Sequence, residues 1–247
     1  MSKIEWCDKT WNCVTGCSWR SISCDGCYAR RMTKRLQGIH EAKIASGISS
    51  SPGIAKYAEG FDKVVMHWDE LGMPSEIKKP SRIFVNSMSD TFHKKVSISF
   101  IMTLFEVMGR CYKDHQYQLL TKRSERLLML SNEGCLDWYP NIWMGVTIEH
   151  EQYLHRLSHL RATGAMVKFL SLEPLLGRMS NLDLTNIDQV ICGAETGPGA
   201  RYMNPDWARE IRDSCKDQGV AFFMKKMSNK ETIPDDLMIR EFPDAKG

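Results

Sequence analysis

The chain has 247 residues, of which 43% are hydrophobic and 26% charged, an ordinary globular composition with enough apolar residues for a core of good size. Its formal net charge of +3 is too small to indicate nucleic-acid binding by itself. It contains no run of about 18 apolar residues, and its first residues, MSKIEWCDKTW, contain no apolar signal core. We therefore expect a cytoplasmic protein without a membrane span.

The first predicted strand covers residues 10–14 and leads directly into a loop that carries three cysteines, Cys17, Cys24 and Cys27. Helical spacing follows over residues 28–37, so strand, loop and helix form the first βα unit of a barrel. Cysteines in a reducing cytoplasm remain thiols, and three of them on one short loop indicate metal binding rather than disulfides.

The three cysteines are compatible with two kinds of metal site. A structural zinc site normally takes four protein ligands, so zinc would need Cys7 or Cys13 as the fourth. A [4Fe–4S] cluster held by only three cysteines would keep one iron free for a cofactor or substrate. The residues of the loop leave both interpretations open.

Residues 38–60 are rich in glycine, serine and other small residues, which predicts a loop or a weakly ordered insertion. Residues 61–68 return to strand or helix. We interpret about 38–80 as an insertion or a lid on the substrate side of a single domain that spans residues 1–247.

From Ser81 onward, apolar strands and helices alternate regularly. Helices are predicted from Ser97 to Tyr112 and from Ser124 to Asn132. The predicted strands lie within the segments 81–90, 117–123, 141–149, 167–174, 188–201 and 220–226. This alternation predicts an α/β fold with a parallel sheet, arranged as a partial or complete (β/α) barrel of the TIM-barrel type.

Polar residues recur where the predicted strands end, and they predict the position of a site. In βα barrels the C-terminal ends of the strands form the active-site face, where the cysteine loop would also lie. A single charge after a strand is as often a helix cap or a solvated loop residue, but the repetition over six strands favours a site. The residues are Asn86, Ser87, Ser89, Asp90, Thr121, Lys122, Arg123, Thr147, Glu149, Ser171, Glu173, Glu195 and Lys225.

Seven blocks of the sequence resemble a phage and prophage protein family with a three-cysteine signature, which in turn resembles the radical S-adenosylmethionine enzymes. The blocks are IEWCDKTWNCVTGC…CDGCYA, IFVNSMSDTFH, LLTKR, NIWMGVTIE, FLSLEPLLG, ICGAETGPGARYMNPDW and FFMKK, in the family's order and over almost the whole chain. The resemblance implies a partial barrel with a [4Fe–4S] cluster at its mouth, held by Cys17, Cys24 and Cys27. It also implies S-adenosylmethionine as a cofactor, and it favours the cluster over zinc.

The same resemblance assigns further contacts by position. The loop that meets the methionine amine corresponds to Ser87, Ser89 and Asp90, although NSMSD replaces the usual two-glycine motif. Ribose contacts correspond to Thr147 or Glu149, and adenine contacts to Tyr28, Leu172 and Gly193. The side chains expected to orient substrate or to move a proton are Lys122, Glu149, Glu173 and Glu195.

The implied activity is reductive cleavage of S-adenosylmethionine followed by hydrogen abstraction from a substrate, with electrons from an external donor of the flavodoxin or ferredoxin type. Because phages modify their own DNA bases, we expect a nucleic-acid or nucleotide substrate: a modified nucleobase in phage DNA, such as a thymidine-type modification that the enzyme isomerises or rearranges. Two alternatives stay open, a radical DNA-repair lyase and a zinc-stabilised nucleic-acid-binding module without catalysis.

Overall fold

A computed structural model describes residues 4–111 and 114–243, and seven parallel strands form its main sheet. In spatial order the strands are β1 (Lys9–Trp11), β4 (Ser81–Val85), β5 (His115–Thr121), β6 (Ile142–Thr147), β7 (Val167–Leu172), β8 (Gln189–Gly193) and β9 (Ala221–Lys226). The sheet curls into a half-barrel with flanking helices. The predicted α/β fold with parallel strands is therefore confirmed in its partial-barrel form.

Two faces of the sheet build two apolar layers, because successive side chains of a strand point to opposite faces. The convex face packs against the helices, where residues such as Val85, Leu119 and Leu172 belong to the large core. The concave face carries Phe84, Trp143 and Phe169, among others. A parallel sheet covered on both faces explains why its strands read as nearly continuous apolar runs.

Helices occupy the connections between most strands. Their bounds are α1 (Tyr28–Ala45), α2 (Pro52–Ala55), α3 (Ile98–Arg110), α4 (Ser124–Asn132), α5 (His155–Arg161) and α6 (Pro205–Asp217). Ser97 caps α3 by accepting a hydrogen bond from the Phe100 amide at 3.2 Å, a contact of the kind that stabilises a helix by about 1 kcal/mol. The predicted helices over 97–112 and 124–132 thus have close counterparts.

Helix α1 is longer than the predicted 28–37. It continues to Ala45, and Gly47, two residues further on, has a φ of +69° and supplies the left-handed turn that commonly terminates a helix. The amides of Gly47 and Ile48 donate to the carbonyls of Ile44 and Lys43 at 3.0 and 2.9 Å. The first part of the predicted insertion is therefore helical.

The rest of that segment packs against the start of the chain. Two short strands, β2 (Val14–Thr15) and β3 (Val65–Met66), pair antiparallel, so the predicted first strand over 10–14 is divided between the two sheets. The Phe61 carbonyl accepts a hydrogen bond from the Cys17 amide at 2.8 Å. The segment thus supports the beginning of the cysteine loop.

The N-terminal segment fills the inside of the half-barrel. Trp6 packs on Phe84 and Phe169 with ring centroids 4.5 and 6.1 Å apart. Gly145 makes room for this layer, because a Cβ at that position would lie 2.6 Å from the Phe169 ring. In residues 4–111 and 114–243, no helix has both the length and the apolar character needed to cross a membrane.

Candidate functional site

The C-terminal ends of the strands surround a cavity of about 360 Å³, within the roughly 300–1,000 Å³ typical of small-molecule pockets. Apolar side chains that line it include Ile4, Trp6, Phe84 and Leu120. The remaining wall includes the cysteine loop, the first turn of α1, and strand ends and loops from β4 to β9. The strand-end location predicted for the site therefore coincides with a real concavity.

Eleven of the predicted site residues line this cavity, and three do not. Those that line it are Cys17, Cys24, Cys27, Tyr28, Ser87, Ser89, Asp90, Lys122, Thr147, Glu173 and Glu195. Glu149 is fully buried beneath the cysteine loop. Leu172 belongs to the convex core, where the alternation of β7 directs it, and its neighbour Ser171 faces the cavity instead. Gly193 lies between Glu173 and Lys225.

The three cysteines of the loop are free thiols that share the cavity wall. Cys7 and Cys13 are outside it: Cys13 is fully buried and contacts Asn86, and Cys7 contacts the Ile4 carbonyl. Burial raises the pKa of Cys17 to about 11, so this thiol is neutral unless a cation draws off its proton. Three of the described cysteines therefore line the cavity, and Cys7 and Cys13 do not.

Among residues 4–111 and 114–243, no group of three or more His, Cys, Asp or Glu side chains is placed to hold a metal ion. A single zinc ion needs its donors within about 2.0–2.3 Å of one point. An iron–sulfur cluster instead bonds each cysteine to a different iron, so its thiolates stand apart. Within the described ranges, the structure therefore shows three thiols on one cavity wall and no assembled site for a single metal ion.

A polar network from β4 and β5 holds the residue after Cys17. Ser18 receives hydrogen bonds from Arg123 at its carbonyl and hydroxyl, at 3.1 and 3.0 Å, and contacts His93 at 2.8 Å. Asp90 accepts from Thr121 at 2.7 Å and from Arg123 at 3.2 Å. Both oxygens of Asp90 are thus occupied by protein donors.

A buried ion pair from β6 and α5 holds the residue before Cys24. Glu149 accepts a hydrogen bond from the Ser23 hydroxyl at 2.9 Å and pairs with Arg156 at 2.9 Å. Arg156 also donates to the Thr147 carbonyl at 2.7 Å and stacks over Tyr153. Glu149, predicted as a ribose or catalytic residue, therefore positions the middle of the loop.

The loop after β8 holds the residue before Cys27. Glu195 contacts Gly26 so closely that a Cβ there would lie 2.2 Å from a carboxylate oxygen. Arg201 donates to Glu195 from its backbone amide and guanidinium, and these bonds hold the pKa of the carboxyl below its ordinary value. Arg31 donates to the carbonyls of Gly26 and Thr196, at 2.8 and 2.6 Å.

Each cysteine is therefore next to a residue held from a different strand end. Asp90, Glu149 and Glu195 all take part in these supports, since each is bonded to an arginine. Sequence reasoning placed them, and Arg123, at the strand ends of the barrel but missed Arg156 and Arg201. These hydrogen bonds tie the cysteine loop to three different strand ends.

The turn NSMSD is fixed by its own polar side chains. Asn86 adopts φ +56° and accepts a hydrogen bond from the Val14 amide at 2.9 Å. The hydroxyl of Ser89 donates to the Val14 carbonyl at 2.8 Å, and Tyr28 donates to the Ser87 carbonyl. The turn meets the cavity in a defined conformation although it contains no glycine.

Trp19 is a cavity residue that sequence reasoning missed. Its side chain is 59% exposed, yet its indole N–H donates to Asp25 at 2.9 Å, so the ring is fixed across the loop. A tryptophan within a polar loop was the signal in the sequence that could have indicated a cavity residue. Lys122 and Arg30 also line the cavity, so a flat aromatic surface and cationic groups share it.

The family model described as "Protein of unknown function (DUF5131)" matches residues 1–242. No curated protein and no solved structure matches the chain.

Proposed function

The chain belongs to the DUF5131 family, and from the geometry of its cavity we propose that it is a radical S-adenosylmethionine enzyme that acts on a nucleobase or nucleotide. The observation that carries the proposal is the set of three loop cysteines sharing one cavity wall at the mouth of a parallel half-barrel. The position of Cys7 and Cys13 outside that wall favours a three-thiol site over a four-ligand zinc site.

Cys17, Cys24 and Cys27 would hold a [4Fe–4S] cluster. When bound and reduced, this cluster together with S-adenosylmethionine supplies a carbon radical that removes hydrogen from a substrate. The apolar residues of the cavity limit water and stray hydrogen donors near the reacting atoms. Lys122 and Glu173 face the cavity, and we assign them to orienting the substrate or moving a proton.

Trp19 supports the substrate class. An exposed indole on a cavity that also carries cationic side chains is suited to stacking on a nucleobase, an interaction of about 1–3 kcal/mol per base. Lys122 and Arg123 line the same cavity. We therefore propose a modified pyrimidine nucleotide, in DNA or free, as the substrate of an isomerisation or a related rearrangement. Electrons would come from an external flavodoxin or ferredoxin.

Metal analysis after anaerobic purification tests the cluster. We expect about four iron per chain, as in other cysteine-bound clusters of this type. Replacing Cys17, Cys24 or Cys27 with alanine should abolish the iron, and the matched variants Cys7→Ala and Cys13→Ala should retain it. Stoichiometric zinc without iron, or loss of metal from the Cys13 variant, would contradict the proposal.

Product analysis tests the chemistry. With dithionite and S-adenosylmethionine, the protein should release 5′-deoxyadenosine slowly, and a bound substrate should accelerate the release because it completes and dries the cavity. Deuterium at the attacked carbon of the substrate should appear in 5′-deoxyadenosine. A protein with a full, reducible cluster that forms no 5′-deoxyadenosine would refute the radical assignment.

A further inference from the structure

Three charged side chains from the second half of the chain meet on the cavity wall. Glu173 contacts the Lys225 ammonium at 2.7 Å and the Lys226 ammonium at 3.0 Å. Glu173 and Lys225 are each 15% exposed, and Lys226 is 31% exposed. All three line the cavity. This is a partly buried group of two cations and one anion.

The backbone is built to bring both lysines to one side. Consecutive residues of a strand normally point to opposite faces. Here the pairing of β8 with β9 shifts register, because Cys192 is opposite Met224 but Gly193 is opposite Lys226. A β-bulge of this kind re-aims side chains and is common next to active sites. Lys225 and Lys226 can therefore reach the same carboxylate.

Gly193 lets this contact pass over the intervening strand. Glu173 follows β7 and the lysines belong to β9, so β8 lies between them. A Cβ at Gly193 would lie 3.4 Å from Lys225 and 3.6 Å from Glu173, in direct contact with both. The group crosses β8 at the position where that strand carries no side chain.

The charges of this group do not cancel. Burial opposes ionisation of Glu173, but the two lysines outweigh it and hold the pKa of the carboxyl below its ordinary value, so it is anionic at neutral pH. Two ammonium groups and one carboxylate leave a formal charge of +1 on this partly buried wall. An ammonium has three N–H donors, and the contact of Lys226 with Glu173 occupies one of them.

We propose that Lys225 and Lys226, with Glu173 as their internal counter-ion, form a subsite for a phosphate group of the substrate. A lysine ammonium binds phosphate as a point charge, and a phosphate monoester supplies the negative charge that the group lacks. The carboxylate keeps the two cations together before the ligand arrives. This inference rests on the proposed nucleotide substrate and adds the atom group by which the nucleotide is held.

Equilibrium binding of thymidine 5′-monophosphate and of thymidine to the anaerobically purified protein tests the subsite. The wild type should bind the monophosphate about tenfold or more tightly than the nucleoside, the size expected for charge-assisted hydrogen bonds. Lys225→Met and Lys226→Met should lose that preference. Lys63→Met is the matched control, because Lys63 forms an exposed pair with Glu59, and it should keep the preference.

Glu173→Gln gives a test with the opposite sign. Removing the internal counter-ion raises the formal charge of the group, so the monophosphate should bind more tightly than to the wild type and thymidine should not. Inorganic phosphate should compete with the monophosphate in the wild type. Melting curves establish that each variant is folded, and Lys226→Gln replaces Lys226→Met if the latter is not.

Equal binding of thymidine and its monophosphate by the wild type would overturn the subsite, as would a preference that survives in folded variants of both lysines. Weaker monophosphate binding by Glu173→Gln would overturn the counter-ion role and with it the proposed arrangement. Because these measurements need neither iron nor cleavage of S-adenosylmethionine, a failure of the radical chemistry would be seen separately.

Discussion

Glu149→Gln is the change that best separates a supporting role from a catalytic one. The carboxylate is fully buried, and its partner Arg156 is 1% exposed. Removing one member of a buried pair typically costs about 3–5 kcal/mol, because it leaves the other charge uncompensated. Arg156 would keep its hydrogen bond to the Thr147 carbonyl and its contact with the Tyr153 ring. We therefore expect the loss in free energy of unfolding to lie near the lower end of this range, at about 3 kcal/mol.

For a domain of this size, about 2–4 °C of melting temperature corresponds to each kcal/mol. We therefore expect the melting temperature of Glu149→Gln to fall by about 6–12 °C in a calorimetric scan. The exposed pair of Glu106 with Arg110 provides the control, and Glu106→Gln should change the melting temperature by about 2 °C or less.

The double variant Glu149→Gln/Arg156→Met removes both charges. Its melting temperature should fall by less than the sum of the decreases in the two single variants, because neither charge is then left unpaired in the core. The reasoning would be refuted if Glu149→Gln melted like the wild type but formed no 5′-deoxyadenosine. That result would mean that the carboxylate acts on the reaction and not on the loop.

Three further outcomes are expected. The pKa of His93 is lowered to about 4, by burial and then by the charge of Arg123. Because the unfolded histidine binds its proton near pH 6.5, the protein should lose stability as pH falls from about 6.5 to 4, up to about 2 kcal/mol at pH 5 in urea titrations. The variant His93→Gln should lose less stability over the same pH range. Gly26→Ala should lower the iron content, because the added Cβ would displace the Glu195 carboxylate, which lies 2.2 Å from that position. The control Gly38→Ala, with open space around it, should keep the iron and gain up to about 1 kcal/mol of helix stability. Equal iron content in the two variants would contradict the close approach of Glu195 to Gly26. Trp19→Ala should weaken nucleoside binding about tenfold or more without changing iron content, and unchanged binding would remove the stacking role.

Strands β4 to β9 of the half-barrel could be predicted because each contains an apolar run bounded by turn residues. The end of α1 could not, since Gly38 and the small residues after it suggested a loop. A Cβ at Gly38 would have no neighbour within 4 Å, and the helix passes through this position to a glycine terminator at Gly47. The low helix propensity of Gly38 was outweighed by the helix-forming residues that follow it.

The cavity could be located from the sequence, but the roles of its charged residues could not. Glu149 and Glu195 stand where a catalytic residue would, and only the fold shows that Arg156 and Arg201 occupy them. Strand alternation would have placed Ser171 and not Leu172 in the cavity. The side on which Lys226 lies depends on a bulge, which leaves no mark in the sequence.

The order of strands in the sheet bears on how the chain assembles. From β4 to β9 each strand pairs with the next one along the chain, so these contacts close short loops and form early. In contrast, Lys9 can pair with Ile83, and Trp6 can pack on Phe169, only after those later residues have been synthesised. During synthesis the cysteine loop is therefore made first and enclosed last. We expect its thiols to stay open to iron delivery, and to oxidants, until the late strands emerge.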